Sequence, residues 1–277
     1  LYTEDKKKCI SDEIENSIKN NLALPILNEE WQRNVWIKTS SIFNISIPSE
    51  DKGCKEDDWL PTPHGMTLSE GIFYKNPDLV ESLFDSNVLE LGSGVGNHSI
   101  LIHRCNPKSL TMTEITENRI STTKKCMEFN NCISNTFYVT ADWLNVPKCN
   151  TNDGLYDTVI TNPPFCMSGK YNRRYYIDEL ILNSHKILRP GGSLIFIQSS
   201  MADLPKTLSR LEENGFKAKV VYKKRYPWRE YYFEDSSFLS LAENTKEAYE
   251  TTYDGRRIET LSIIKGVLQE YKPHFCH

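Results

Sequence analysis

The stretch "NVLELGSGVGNHSI", residues 87 to 100, decides how the rest of the chain is read. A short β-rich run, 87–91, leads into Gly92, Gly94 and Gly96, and a helical pattern starts at Asn97. Glycines at such a junction let the backbone turn sharply and approach a ligand at the carboxyl end of a sheet. The spacing narrows the ligand. A dinucleotide fingerprint is G-x-G-x-x-G, whereas here the third glycine comes one residue early and Asn97 holds its place. Nor does a phosphate-gripping lysine follow, as a P-loop requires.

Working outward, β-rich runs recur at 109–115, 135–141, 156–162 and 192–198, with helical patterns such as 97–105 and 117–130 between most of them. That alternation predicts an α/β fold, a parallel sheet with helices on both faces. "LRPGG", 188–192, reads as a turn closing a helix before the fifth strand. Two later runs, 216–223 and 236–243, have no helix between them and predict antiparallel edge strands. In "DGRRIETLSIIKGVLQEY", 254–271, Ile258, Leu261, Ile264 and Leu268 share one helical face, which predicts a terminal helix docked on the core. Ahead of all this, residues 1–60 begin with a Lys-rich, helix-compatible run. "EEWQRNVWIKTSSIF" follows, with Trp31, Val35 and Ile42 at helical spacing, and then a polar linker, 48–58. The expected division is therefore a helical extension, 1–60, and a main domain, 61–277.

Composition sets limits on partners. Thirty-three basic and thirty-seven acidic residues leave a net charge of −4, so a nucleic acid would have to be met by a local basic patch. No apolar run approaches membrane-span length and no leader pattern opens the chain, so a cytoplasmic protein with no membrane contact is expected. Eight cysteines, at 9, 54, 105, 126, 132, 149, 166 and 276, form no CxxC pair and read as free thiols. The tail "HFCH" reads as a frayed end, and no metal site is expected.

A second stretch, "DTVITNPPFCMSG", residues 157 to 169, raises the question of chemistry. Pro163 and Pro164 donate no backbone hydrogen bonds and freeze two φ angles, so the strand must stop at a rigid elbow. That elbow presents one amide, Asn162, and one ring, Phe165. Cys166 beside it reads as a small filler, since no cationic partner is evident to activate it.

The glycine loop, Gly92, Ser93, Gly94, Gly96 and Asn97, resembles motif I of class I S-adenosylmethionine-dependent methyltransferases. The resemblance implies a Rossmann-like sheet of seven mostly parallel strands in the order 3-2-1-4-5-7-6. It also implies cofactor roles for other positions. Glu114 would accept the ribose hydroxyls, with Ile115 packing on adenine. Asp142 and Trp143 would offer a carboxylate and a ring to the adenine, and Glu90 would lie near the methionine ammonium. "NPPF" resembles motif IV of the methyltransferase small-domain group, which methylates planar nitrogens and includes ribosomal-RNA guanine, adenine-N6 and release-factor glutamine enzymes. Asn162 and the Pro163 carbonyl would each accept one N–H, Pro164 would stiffen the elbow, and Phe165 would stack on the acceptor's plane. Asn162 would also border the cofactor. Two departures are visible. "LPTPHGMTLSEG", 60–71, lacks the arginine between prolines found in the glutamine enzymes, and the elbow carries Phe where those usually carry Tyr.

Substrate contacts are expected from "KYNRRYY", 170–176, with Arg173, Arg174 and Tyr175, and from "KAKVVYKKRYPWREYYF", 217–233, with Lys223, Lys224 and Trp228. Basic groups among stacking rings suit a single-stranded nucleic acid. A soluble edge strand followed by an aromatic loop would carry the same residues. The leading expectation is methylation of an exocyclic base amine of RNA or DNA. A small nitrogen-containing metabolite (an amine, guanidine or heteroaromatic, with 1–60 as a lid) and a protein glutamine are the alternatives. A non-catalytic adaptor would have no reason to keep Gly92, Gly94, Glu114, Asp142 and Asn162 together.

Overall fold

The computed structural model describes residues 9–46, 62–164 and 174–269. Phe165, Cys166, Lys170 and Arg173, the 48–58 linker and the "HFCH" tail lie outside the described residues. Two helices come first, α1 (Ile10–Lys19) and α2 (Glu29–Phe43), then α3 (Pro63–Phe73) and α4 (Pro77–Leu83). The alternating part runs β1 (Asn87–Leu91), α5 (Asn97–His103), β2 (Ser109–Glu114), α6 (Glu117–Phe129), β3 (Thr136–Thr140) and β4 (Tyr156–Thr161). It continues with α7 (Tyr175–Asn183), β5 (Leu188–Ser199), α8 (Leu204–Glu213), β6 (Phe216–Pro227), α9 (Ser236–Glu243), β7 (Glu250–Thr251) and β8 (Arg257–Leu268).

The sheet order is β3-β2-β1-β4-β5-β8-β6, with the two-residue β7 pairing β8 at one end. The expected order is thus present, with one short strand added. β1 to β5 pair in parallel, and β8 runs antiparallel to both β5 and β6. Every residue of β1 is buried, as a central strand covered by helices on both faces requires. One apolar cluster joins the sheet to α3, α4, α5 and α6, a second joins it to α7 and α8, and a third packs Trp228 and Tyr232 with Phe238 and Ala242 of α9.

Two expectations about the carboxyl-terminal part are corrected. The predicted terminal helix at 254–271 is the strand β8. Its apolar residues fit a helical stripe, but Ile258, Leu261, Ile263, Ile264 and Leu268 are all buried, because β8 lies inside the sheet between β5 and β6. A strand apolar on both sides mimics helical spacing. The predicted strand at 236–243 is the helix α9. Asp235 caps it by accepting from the backbone N–H of Ser237 at 2.9 Å and Phe238 at 3.1 Å, while Phe238 and Ala242, four apart, are buried together. A smaller difference concerns 188–192, read as a turn, which forms the irregular start of β5 beside Tyr156.

The N-terminal segment forms a further layer over α3. Ile10, Ile14, Val35, Trp36 and Phe43 belong to the same buried cluster as α3 and the sheet. Polar ties fix the layer. Ser11 donates to Glu70 at 2.6 Å, Arg225 pairs Glu15 at 2.7 Å, Lys224 pairs Asp12, and Arg104 donates to the carbonyls of Phe43 and Asn44 at 2.8 Å. Helix α3 is consequently enclosed, with Pro63 through Ile72 buried.

Candidate active site

The glycine loop leaves β1 with φ of 69° at Gly92, 59° at Gly94 and 92° at Gly96, all in the region open to glycine. A Cβ on Gly92 or Gly94 would meet nothing within 4 Å, so the loop borders open space there. At Gly96 a Cβ would sit 3.4 Å from Thr123, which packs the loop's far end onto α6. Ser93 faces inward as well. Its N–H donates to the Thr113 carbonyl at 3.0 Å and its hydroxyl shares a bond of 3.0 Å with Thr123, so its side chain anchors the loop and does not line the site.

Glu114, at the end of β2, is buried and holds the loop in shape. Its Oε1 accepts from the Gly94 N–H at 2.8 Å and its Oε2 from the Ile115 N–H at 3.0 Å. Each carboxylate oxygen retains lone-pair capacity for a hydroxyl. Beyond it, Ile115 is 58% exposed, an uncovered apolar side chain on the loop side of the sheet. Asp142 is exposed too. Trp143 does not stand open as a stacking ring. Its ring lies 5.1 Å from Tyr176 in an edge-on contact, and it packs with the cluster under α7.

Glu90 is 2% exposed and accepts from the Ser99 hydroxyl. Burial pushes its carboxyl up to about 8, with Glu114 adding repulsion and the Ser99 bond partly opposing the shift. The base beside it, His98, has Nδ1 at 3.8 Å but is itself held below its usual range by burial. A buried acid next to a glycine loop and without a charged partner suits an alkylammonium. Asn97 adds a buried carbonyl oxygen with no hydrogen bond among the described residues.

The elbow is rooted on the same loop. The Thr161 hydroxyl donates to the Leu91 carbonyl at 2.9 Å, tying the end of β4 to the end of β1. Asn162 is half-buried, Pro163 buried and Pro164 exposed. The first turn of α3 closes on them. Thr62 caps that turn through the Gly65 N–H at 3.2 Å, with Pro63 in the first helical position. A Cβ on Gly65 would stand 3.6 Å from His98 Nε2 and 3.7 Å from Asn162 Nδ2, and His98 Nε2 lies 3.0 Å from the Gly65 carbonyl. Elbow, glycine loop and α3 therefore meet at Gly65.

The expected substrate residues divide. Lys223 is exposed and Tyr175 is 37% exposed. Arg174, however, is 9% exposed and acts as a strut: it donates to the Ala202 carbonyl, to Asp203 O at 3.0 Å, to Thr207 at 2.8 Å and to Asp178 at 2.7 Å. Lys224 is taken by Asp12, and Trp228 is 4% exposed with Arg257 4.9 Å over its ring. All three are corrected from ligand contacts to internal ones.

What the sequence pattern did not reveal is the polar network behind α3. Arg229 Nη2 lies 2.8 Å from His64 Nδ1, and the buried Glu259 sits 3.4 Å from the Tyr232 hydroxyl. Burial keeps His64 well below its usual range, so it takes the Arg229 N–H as a neutral acceptor. The "TPHG" start of α3 was the available signal, a capping Thr and a first-turn Pro ahead of a small residue.

Comparison with known proteins bears on the family and the fold. The model of the methyltransferase small domain matches residues 77–226, more than half of the chain. A Methanocaldococcus jannaschii protein named "Putative protein N5-glutamine methyltransferase" is 25% identical over 170 residues, 55% of this chain and 83% of its own. A Bacillus cereus protein named "Uncharacterized RNA methyltransferase" is 25% identical over 168 residues, 56% of this chain and 34% of its own. Among solved structures, a "putative RNA methyltransferase" from Pyrococcus horikoshii superposes with a TM-score of 0.51 at 13% identity, covering 86% of this chain and all of its own, which bears on the fold alone. No described helix is long and apolar enough to cross a membrane. The chain belongs to the methyltransferase small domain family, and is an S-adenosylmethionine-dependent enzyme of the class I, N-methylating kind.

Proposed function

We propose that the enzyme methylates an exocyclic amine of an RNA base, held at the elbow by Asn162 and the Pro163 carbonyl. One observation carries the reading. Asn162 ends a buried strand with its amide unbonded among the described residues, on a proline-stiffened backbone tied to the cofactor loop. When bound, S-adenosylmethionine supplies an electrophilic methyl on a sulfonium. An exocyclic amine is a poor nucleophile, because its lone pair is delocalised into the ring. Two acceptors on its two N–H bonds would hold the nitrogen with its out-of-plane density toward the methyl. With the cofactor bound, the nitrogen would take the methyl as the carbon–sulfur electron pair returns to sulfur, and one N–H proton would pass to water while Asn162 and the Pro163 carbonyl hold the amine. Rigid prolines spare the ordering cost that a flexible loop would incur.

Protein glutamine is the second reading, supported by the name of the Methanocaldococcus relative and by the chemistry of a side-chain amide, which is also planar. Incubation with radiolabelled cofactor, followed by separation of RNA, protein and metabolites, decides between them. Label in RNA is the expected result; label confined to protein would overturn the RNA assignment.

Glu90 carries a pH prediction. Because its folded-state pKa of about 8 lies above the unfolded value of 4.5, the apo protein loses stability as pH rises between those limits. Pairing with the cofactor's ammonium would require the carboxylate. Cofactor binding at pH 7 should therefore release about one proton, which disappears in Glu90→Gln. Calorimetry in two buffers of different ionisation enthalpy measures this, and equal proton release by both proteins would remove Glu90 from the site.

A further inference from the structure

Beside α8, under the stretch 246–250 and against the β8–β6 end of the sheet, lies an open cavity of about 950 Å³. Register fixes its place relative to the elbow. Ser262 on the cavity floor pairs with Gln198 of β5, and Phe196, two residues earlier, pairs with Thr161 at the end of β4. The floor is thus two strands from the elbow, about 10 Å at ordinary strand spacing. The turn Ser200–Ala202, held by Arg174 at the Ala202 carbonyl, borders the cavity through Ser200.

The lining has a definite chemistry. Lys223 is exposed and has no ion pair among the described residues; of the two acids at the rim, Glu250 is paired with Arg225 at 3.1 Å, and Glu247 lies 4.0 Å from the exposed Lys246, which also lines the cavity. The hydroxyls of Thr260 and Ser262 make no hydrogen bond among the described residues. Leu204, Leu208 and Val220 supply an apolar wall. Between cavity and elbow stands Gln198, 1% exposed, with neither carboxamide atom hydrogen-bonded among the described residues. A buried amide in that state is costly; Gln198 lies beside Ser262 in register and is not among the side chains that line the cavity.

We infer that this cavity seats the nucleotide flanking the acceptor base of a single-stranded RNA, an inference that rests on the RNA reading above. The phosphate meets Lys223, the sugar or base edge meets the two hydroxyls, and the base face lies on the aliphatic wall. A nucleotide brings a phosphate to Lys223 whatever its base, whereas a peptide segment brings an anion only where it carries an acidic side chain.

The test is fluorescence anisotropy of a fluorescein-labelled single-stranded RNA of mixed sequence, at low salt, with wild type and four variants. Lys223→Glu should weaken binding about tenfold and Thr260→Val about threefold. Lys217→Glu, an exposed lysine on the same strand outside the cavity, should leave it unchanged. Asn162→Ala, which removes one contact to the acceptor amine, should weaken RNA binding by no more than about threefold while failing in transfer. Equal losses from Lys217→Glu and Lys223→Glu, or no loss from Lys223→Glu and Thr260→Val, would overturn the subsite even if RNA takes the label. Absence of RNA binding by wild type would overturn both the subsite and the RNA reading.

Discussion

Asn162→Ala is expected to slow methyl transfer by about 1,000-fold while cofactor affinity stays within about threefold of wild type. The size of the effect follows from what the amide supplies. One of two acceptors that orient the nitrogen is lost, and the remaining carbonyl of Pro163 leaves the base free to pivot about one hydrogen bond. The elbow itself should survive, because its rigidity comes from the prolines and from the Thr161–Leu91 bond and not from Asn162. Single-turnover transfer and calorimetric titration of the cofactor separate the two quantities. If binding and transfer fall together, Asn162 serves the cofactor and the proposed geometry is wrong.

Glu114→Ala should weaken cofactor binding by about 10- to 100-fold, the cost of a charged hydrogen-bonding group. Two losses combine here. The carboxylate that would take the ribose hydroxyls disappears, and so do the acceptors that hold the N–H groups of Gly94 and Ile115. Glu114→Gln should be nearly as damaging, since its amide NH₂ cannot accept the second N–H. Retained affinity in Glu114→Ala, measured by calorimetry, would reject the assignment of this loop to the cofactor.

Much of this site was legible from short stretches. A glycine junction, an acid at a strand end and a double proline are each local events, and local backbone chemistry shapes each of them. The carboxyl-terminal elements were not legible for the opposite reason. β8 looks helical in isolation because its apolar positions satisfy either period, and only its insertion between β5 and β6 settles the choice. In α9 the Asp235 cap and the burial of Phe238 and Ala242, four apart, mark a helix. The basic aromatic segment misled in a similar way. Lys224 meets its partner Asp12 across 212 positions of sequence, and Trp228 is covered by Tyr232, Phe238 and Tyr249.

The sequence by itself determined the alternation of strands and helices, the glycine loop after β1 and the rigid elbow after β4, because glycine and proline act on their own backbone. Only the tertiary structure decided that α3 closes on the elbow through Gly65, that Arg174, Lys224 and Trp228 are internal, and that Lys223 is left beside a cavity. Whether a charged or aromatic side chain meets a ligand depends on which distant element reaches it first, and no local pattern records that competition.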